Sequence, residues 1–404
     1  MLNPITLVCC RVYQAVFTLA ARLLPWRKAE LIMGEGSLSR VTELLRREGV
    51  NKPMVVTGPL LKRTGLADRL LSVLDENGMP CALFSDVEAN PSVNTAEAIA
   101  LQYQKNNCSG FVAFGGGSPM DAAKAAAARI AMPRKSVRQL GGLLKVRNKI
   151  PVFVAIPTTA GTGSETTIAA VVTDPDTHRK YALMDLHLIP RYAVLDPALT
   201  LGLPPAVTAA TGIDALTHAV EAYLCWTNNT AESRRAAQEA VTTIFANLEA
   251  AYRDGQNLEA RMNMLYAAYQ AGYAFTRAGV GNVHAIAHTL GGLYHTPHGL
   301  ANAVLLPIVL EDYGKAVHKK LARLAALTGT ASGQNDAENA RAFIQAIREL
   351  NRRMGLPTGF DYIKEDDIAQ MTAWALSEAN PVYPVPVVYD KARCRRVIER
   401  LRRE

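Results

Sequence analysis

The chain has 404 residues, too many for one ordinary hydrophobic core, so two domains are the default expectation. Apolar residues at 49% and charged residues at 20% describe a globular chain and exclude a disordered or fibrous one. The net charge of +8 is densest from Lys391 to Arg403, where Arg393, Arg395, Arg396, Arg400, Arg402 and Arg403 share a helix with Val397, Ile398 and Leu401; that pattern is a solvated helix face, not a nucleic-acid interface.

From Pro4 to Trp26 the chain is apolar except for Arg11, Gln14, Thr18 and Arg22, which recur every three or four residues and form one polar stripe on a helix. Arg11 and Arg22 interrupt any stretch long enough to cross a bilayer, and nothing resembles a signal-peptide leader. The expectation is an amphipathic helix, residues 1–29, docked on the protein body or on a second subunit rather than on a membrane. Next come short apolar runs alternating with helical patterns: a strand at Pro53–Thr57, a helix at Leu60–Asn77, a strand at Cys81–Phe84, a helix at Thr95–Asn106, a strand at Gly110–Phe114, a helix at Asp121–Ala131 and a strand at Pro151–Ile156. That alternation predicts a parallel sheet covered on both faces, an α/β doubly wound domain over residues 30–196. Beyond Pro190 long helical patterns take over, at Pro205–Cys225, Ala231–Tyr252, Leu258–Phe275, Val283–Tyr294 and Ala337–Met354. They predict an all-α second domain over residues 197–404. The cysteines Cys9, Cys10, Cys81, Cys108, Cys225 and Cys394 have no CxxC spacing, which fits a reducing, cytoplasmic setting.

Two glycine-bearing segments follow predicted strands. Phe111 to Lys124 reads FVAFGGGSPMDAAK. Its glycines let backbone N–H groups approach a ligand, Ser118 and Asp121 have capping-box spacing, and Pro119 suits a first helical position. Such a turn seats a pyrophosphate, although it is neither GxGxxG nor a P-loop. Ile156 to Thr167 reads IPTTAGTGSETT and offers several hydroxyls directly after a strand.

The chemistry lies further on. Gly212 to Tyr223 reads GIDALTHAVEAY, with Asp214 and His218 one helical turn apart; Val283 to Pro307 reads VHAIAHTLGGLYHTPHGLANAVLLP, with His284 and His288 at the same spacing and His295 and His298 beyond. A carboxylate and three imidazoles suit a borderline divalent ion, Fe²⁺ or Zn²⁺, with room for a substrate oxygen on which it acts as a Lewis acid.

These segments, in this order, resemble the iron-containing (group III) alcohol dehydrogenases over about Leu31 to Pro386. The resemblance implies a dehydroquinate synthase-like fold with the site in a cleft between a dinucleotide domain and a helical metal domain. It implies hydride transfer between NAD(P)(H) and a primary alcohol or aldehyde. The metal ligands would fall on Asp214, His218, His284 and His298, with His288 relaying the hydroxyl proton and Thr162 passing it onward. Pyrophosphate contacts would fall on Gly116, Gly117, Ser118 and Asp121, and the remaining cofactor contacts on Asn90, Thr158, Thr159, Thr162, Thr167, Lys180 and Leu199. Gly58 stands where NAD-using relatives carry an Asp, which leaves space for a 2′-phosphate near Lys62 and Arg63; NADP(H) is therefore favoured over NAD(H). His295 reads as a pocket-edge residue rather than a fifth ligand. A small-molecule substrate and a homodimer or higher homo-oligomer are expected. The rival readings are a zinc polyol dehydrogenase or dehydroquinate synthase-like enzyme on the same fold, and a non-catalytic metal- or nucleotide-binding protein.

Overall fold

The buried apolar runs of the first half pair in register as one parallel sheet. The computed structural model describes residues 3–176 and 179–403. They form two units: Pro25–Gly202, and a second in which the described residues up to Leu24 join those from Leu203 onward.

In chain order the helix α1 (Pro4–Arg22) precedes the sheet unit, which contains β1 (Glu30–Met33), α2 (Val41–Arg47), β2 (Pro53–Val56), α3 (Pro59–Arg63), α4 (Leu66–Glu76), β3 (Ala82–Phe84), α5 (Val93–Lys105), β4 (Gly110–Gly115), α6 (Gly117–Ala131), α7 (Val137–Leu140), β5 (Gly142–Leu143), β6 (Val152–Pro157), β7 (Ala169–Asp174), β8 (Arg179–Met184) and β9 (Tyr192–Leu195). Six strands form the parallel sheet in the order β1-β9-β6-β4-β2-β3. Val55, Val112 and Val154 are fully buried on one face and Met54, Phe111 and Phe153 on the other, because helices cover both sides. From β2 the chain moves outward to β3, then returns to β4 and continues the other way. The switch point therefore lies between β2 and β4, and Gly58 and the glycine turn sit at the carboxyl ends of those two strands.

Three features differ from the sequence reading. The helix expected at Leu60–Asn77 is two helices, broken where Gly65 takes φ +76° in the left-handed region. The edge strand β1 and the strand β9 were not foreseen; β1 begins on the charged Glu30, and both are only four residues long. A second sheet, β5-β8-β7, carries the antiparallel pairing Ala169↔Met184 to Asp174↔Arg179.

The helical unit continues with α8 (Pro205–Leu224), α9 (Ala231–Arg253), α10 (Leu258–Ala278), α11 (Asn282–Tyr294), α12 (His298–Tyr313), α13 (His318–Leu327), α14 (Asp336–Arg353), α15 (Glu365–Ala379) and α16 (Lys391–Glu399). The long helical patterns land within a few residues of these bounds. Among the described residues α1 ends at Arg22, ahead of Pro25, and docks on this unit through its polar stripe. Arg11 donates to the carbonyls of Val385 and Pro386 at 2.8 and 2.9 Å, Gln14 to those of Tyr383 and Pro381 at 2.7 and 3.1 Å, and the hydroxyls of Thr18 and Thr227 lie 2.6 Å apart.

Helices α8 and α12 meet at Gly299, where a Cβ would stand 2.3 Å from the carbonyl oxygen of Ala210 and 3.3 Å from the Asp214 Cβ. Backbone cannot yield as a side-chain tip does. Gly299→Ala is expected to lower unfolding stability by about 1–3 kcal/mol, read from urea midpoints; an unchanged midpoint would show that the two helices do not press together there.

Candidate metal centre and dinucleotide turn

Each candidate ligand is placed by a helix. Asp214 and His218 project from successive turns of α8, His284 from the first turn of α11, and His298 opens α12. One donor atom from each lies within 4.8 Å of the others, and all are buried except the half-buried His298. The rings of His218 and His284 are 4.5 Å apart between centroids, and those of His284 and His298 5.2 Å. Among these groups stands the fully buried amide of Asn302, whose Nδ2 is 2.7 Å from Asp214 Oδ1, 3.2 Å from His298 Nε2 and 3.4 Å from His284 Nε2. An amide has two hydrogens and cannot serve three acceptors well, so lone pairs converge here on a point that suits a cation better than a hydrogen-bond donor. A borderline divalent ion fits this donor set.

Glu221 lies one turn beyond His218 on α8. It accepts from His284 Nδ1 at 2.6 Å and from the amides of Gly281 and Val283 at 2.8 Å each. Burial pushes its carboxyl up to about 7 against the pull of those amides. His284 is held well below its usual range by burial and by the neighbouring imidazoles of His218 and His298, which keeps the ring neutral and its Nε2 lone pair available. His288 Nδ1 is 2.7 Å from Glu378 Oε1, which also accepts from the Tyr383 hydroxyl at 2.7 Å. Burial opposes the ionisation of Glu378, but the imidazole of His288 and these two hydrogen bonds hold its carboxyl below the usual range. Glu221, Asn302, Glu378 and Tyr383 were missed by the sequence reading. Only Glu221 and Asn302 carried a signal, their helical spacing from His218 and His298. His295 takes φ +55° at the end of α11 and lies outside the four-donor cluster.

In the sheet unit α6 begins at Gly117 with Gly116 as its N-cap, so the capping box expected of Ser118 and Asp121 is not formed. Asp121 turns instead to the hydroxyl segment, accepting from Ser164 Oγ at 2.8 Å and the Val171 amide at 3.2 Å. A Cβ on Gly116 would meet Thr159 Oγ1 at 3.3 Å, and one on Gly117 would meet Thr162 Cγ2 at 2.9 Å. The two segments are therefore in contact, and glycine is required by that approach. Thr158 is buried and its amide donates to Gly115 at 3.0 Å. Lys180 donates to Asn90 Oδ1 at 2.6 Å. Two candidates are committed within the unit: the Leu199 side chain lies in the core, and the Thr167 hydroxyl accepts from Lys124 at 2.9 Å. Lys62, expected near a 2′-phosphate, pairs with Asp68 at 2.5 Å.

Lys124, also missed, is wholly buried and donates to the carbonyls of Ser164, Thr167 and Ala169 at 2.6, 2.9 and 3.1 Å. Burial pulls its ammonium down to about 8, against the attraction of Asp121 and Glu165. An alanine-rich helix thus carries one cation that knits the hydroxyl segment onto the glycine turn.

A parallel nucleotide-type sheet and a helical unit bearing an Asp/His cluster are the parts that a metal-dependent dehydrogenase needs. Residues 28–197 match the family model described as iron-containing alcohol dehydrogenase, and residues 208–400 the model of the C-terminal part of that family. The chain is 39% identical over 353 residues to the 1,3-propanediol dehydrogenase of Klebsiella pneumoniae, covering 86% of this chain and 90% of that one. It is 37% identical over 361 residues to alcohol dehydrogenase 4 of Saccharomyces cerevisiae (strain YJM789), covering 86% and 92%. A solved 1,3-propanediol oxidoreductase superposes with a TM-score of 0.90 at 35% identity, covering 94% of this chain and all of that one. The chain belongs to the iron-containing alcohol dehydrogenase family and is an NAD(P)-dependent alcohol dehydrogenase.

Lys124→Met would remove the charged donor shared by the carbonyls of Ser164, Thr167 and Ala169, at a cost of about 1–3 kcal/mol for each that is left unsatisfied. The variant is expected to unfold at lower urea and to bind dinucleotide at least several-fold more weakly by fluorescence titration; a wild-type midpoint would show that the ammonium holds nothing in place.

Proposed function

We propose that Asp214, His218, His284 and His298 hold one divalent cation, Fe²⁺ or Zn²⁺, and that the enzyme interconverts alcohols and aldehydes beside it. The observation that carries this reading is the approach of the four donor groups to within 4.8 Å of one another in a buried setting. When bound, the cation polarises the substrate oxygen and the dinucleotide takes or supplies the hydride. The chain's own residues do the rest. Glu221 fixes the Nδ1 side of His284 and so aims Nε2 at the cluster. Glu378 holds Nδ1 of His288 in the same way, which leaves Nε2 as the atom that accepts the hydroxyl proton during alcohol oxidation and returns it during aldehyde reduction. The amides of Gly116, Gly117 and Ser118 offer a seat for a pyrophosphate at the start of α6. Gly58, the N-cap after β2, brings no carboxylate to repel a 2′-phosphate, which supports NADP(H) as the preferred cofactor. Cysteines that are all free fit a cytoplasmic setting.

Metal analysis tests the centre directly. His284→Ala is expected to lose most of the bound metal measured by mass spectrometry while still binding dinucleotide; full metal content would overturn the ligand assignment. For the cofactor, kcat/KM is expected to be higher with NADPH than with NADH, and Gly58→Asp to reverse the order. A preference for NADH of about a hundredfold, some 2.7 kcal/mol, would remove the argument from Gly58.

A further inference from the structure

An amphipathic helix ordinarily turns its apolar stripe inward. Helix α1 instead buries a mixed face of Cys10, Gln14, Thr18 and Ala21 and leaves a long apolar stripe outside. Gln14 is 1% exposed and Thr18 7%, whereas Ile5, Val8, Val12, Val16, Leu19 and Leu23 are 57–84% exposed. Their spacing of three or four residues makes one continuous apolar stripe about 27 Å long at 1.5 Å per residue. A contiguous exposed patch of this kind marks an interaction surface.

Charge decides what covers it. Residues 1–28 hold Arg11, Arg22, Arg27 and Lys28 and no Asp or Glu. Arg11 is drawn inward by the carbonyls of Val385 and Pro386; Arg22 closes the helix, and Trp26 and Lys28 follow in sequence, an amphipathic ring and a cation of the kind found at membrane–water interfaces. An anionic lipid surface matches both the apolar stripe and the charge.

We propose that the outward face of α1 anchors the enzyme to an anionic lipid bilayer, with the helix lying in the plane of the membrane surface. It does not cross. Its middle is tied to the body by the hydrogen bonds of Arg11 and Gln14, and crossing would strip those groups of their partners.

The test is flotation of the full chain with vesicles of phosphatidylcholine plus phosphatidylglycerol, and with phosphatidylcholine alone. The floated fraction is expected to be about tenfold higher with the anionic vesicles and to fall as salt is raised. The variant Val8→Asp/Val12→Asp/Val16→Asp/Leu19→Asp changes only exposed side chains and is expected to stop floating while keeping wild-type Tm and activity; Val16→Asp alone serves if the fourfold variant does not fold. Three results would overturn the proposal: no flotation of the wild-type chain, undiminished flotation of the Asp variants, or a wild-type oligomer that the substitutions dissociate without any lipid binding, which would assign the face to a second copy.

Discussion

The helical unit is organised around an electrostatic problem, the burial of a carboxylate and three imidazole lone pairs at one point. Asp214 is nearly inaccessible, and desolvating an anion is costly unless a cation or strong donors face it. Within the chain the Asn302 amide faces it, at distances that serve Asp214 well and the two imidazoles poorly. The convergence persists because packing imposes it. Gly299 lets α12 close on α8, and Gly281, where a Cβ would come 2.6 Å from Glu221 Oε1, lets the start of α11 close on the same helix. Gly299 therefore sets the approach of α12 to α8 against backbone, and Gly281 keeps room for the Glu221 carboxylate that orients His284.

The sheet unit solves a related problem with opposite charge. Its hydroxyl segment forms only one short 3-10 turn between β6 and β7, so few of its carbonyls are paired within regular structure. Lys124 adds a charged donor to the carbonyls of Ser164, Thr167 and Ala169 from within α6, and Asp121 receives the Ser164 hydroxyl and the Val171 amide from the other side. Burial opposes each of these charges alone, and pushes the Glu165 carboxyl up to about 7 as well. Together they offset one another, and they tie the segment that follows β6 to the turn that follows β4. A dinucleotide turn made of glycine amides needs such a support, because glycine itself brings no side chain to hold its shape.

Much of this was legible in the sequence, for definite reasons. Asp214/His218 and His284/His288 announce themselves because the helical repeat maps a spacing of four onto one face, and apolar surroundings make a solvated role improbable. The long helices were legible from periodicity, and β2, β4 and β6 from short apolar runs next to glycine or proline. Lys124 was not, since a lysine in an alanine-rich helix reads as a solvated side chain until the neighbouring segment is seen to present three carbonyls to it. Glu378 and Tyr383 were not, because no motif links them to His288, which is 90 residues from Glu378 in sequence. The capping box misled because Ser118 and Asp121 have its spacing, while the helix in fact starts one residue before Ser118 and Asp121 finds better donors in Ser164 and Val171.

The orientation of α1 follows from the same accounting of backbone groups. The segment from Asn380 to Asp390 lies between α15 and α16 and belongs to neither, so the carbonyls of Pro381, Tyr383, Val385 and Pro386 have no ladder to join. Gln14 and Arg11 donate to all four, and leaving such carbonyls buried without a donor would cost about 1–3 kcal/mol each, comparable to what burying an apolar side chain gains. Arg11, Gln14 and Thr18 therefore face inward, while Arg22 and the apolar stripe are left outside. The contact also reaches the chemistry of its own unit: the braced segment carries Tyr383, whose hydroxyl bonds to Glu378, and Glu378 orients His288. An extension that composition alone would describe as an apolar appendage is in this way continuous, through three side chains, with the imidazole proposed to carry the substrate's proton.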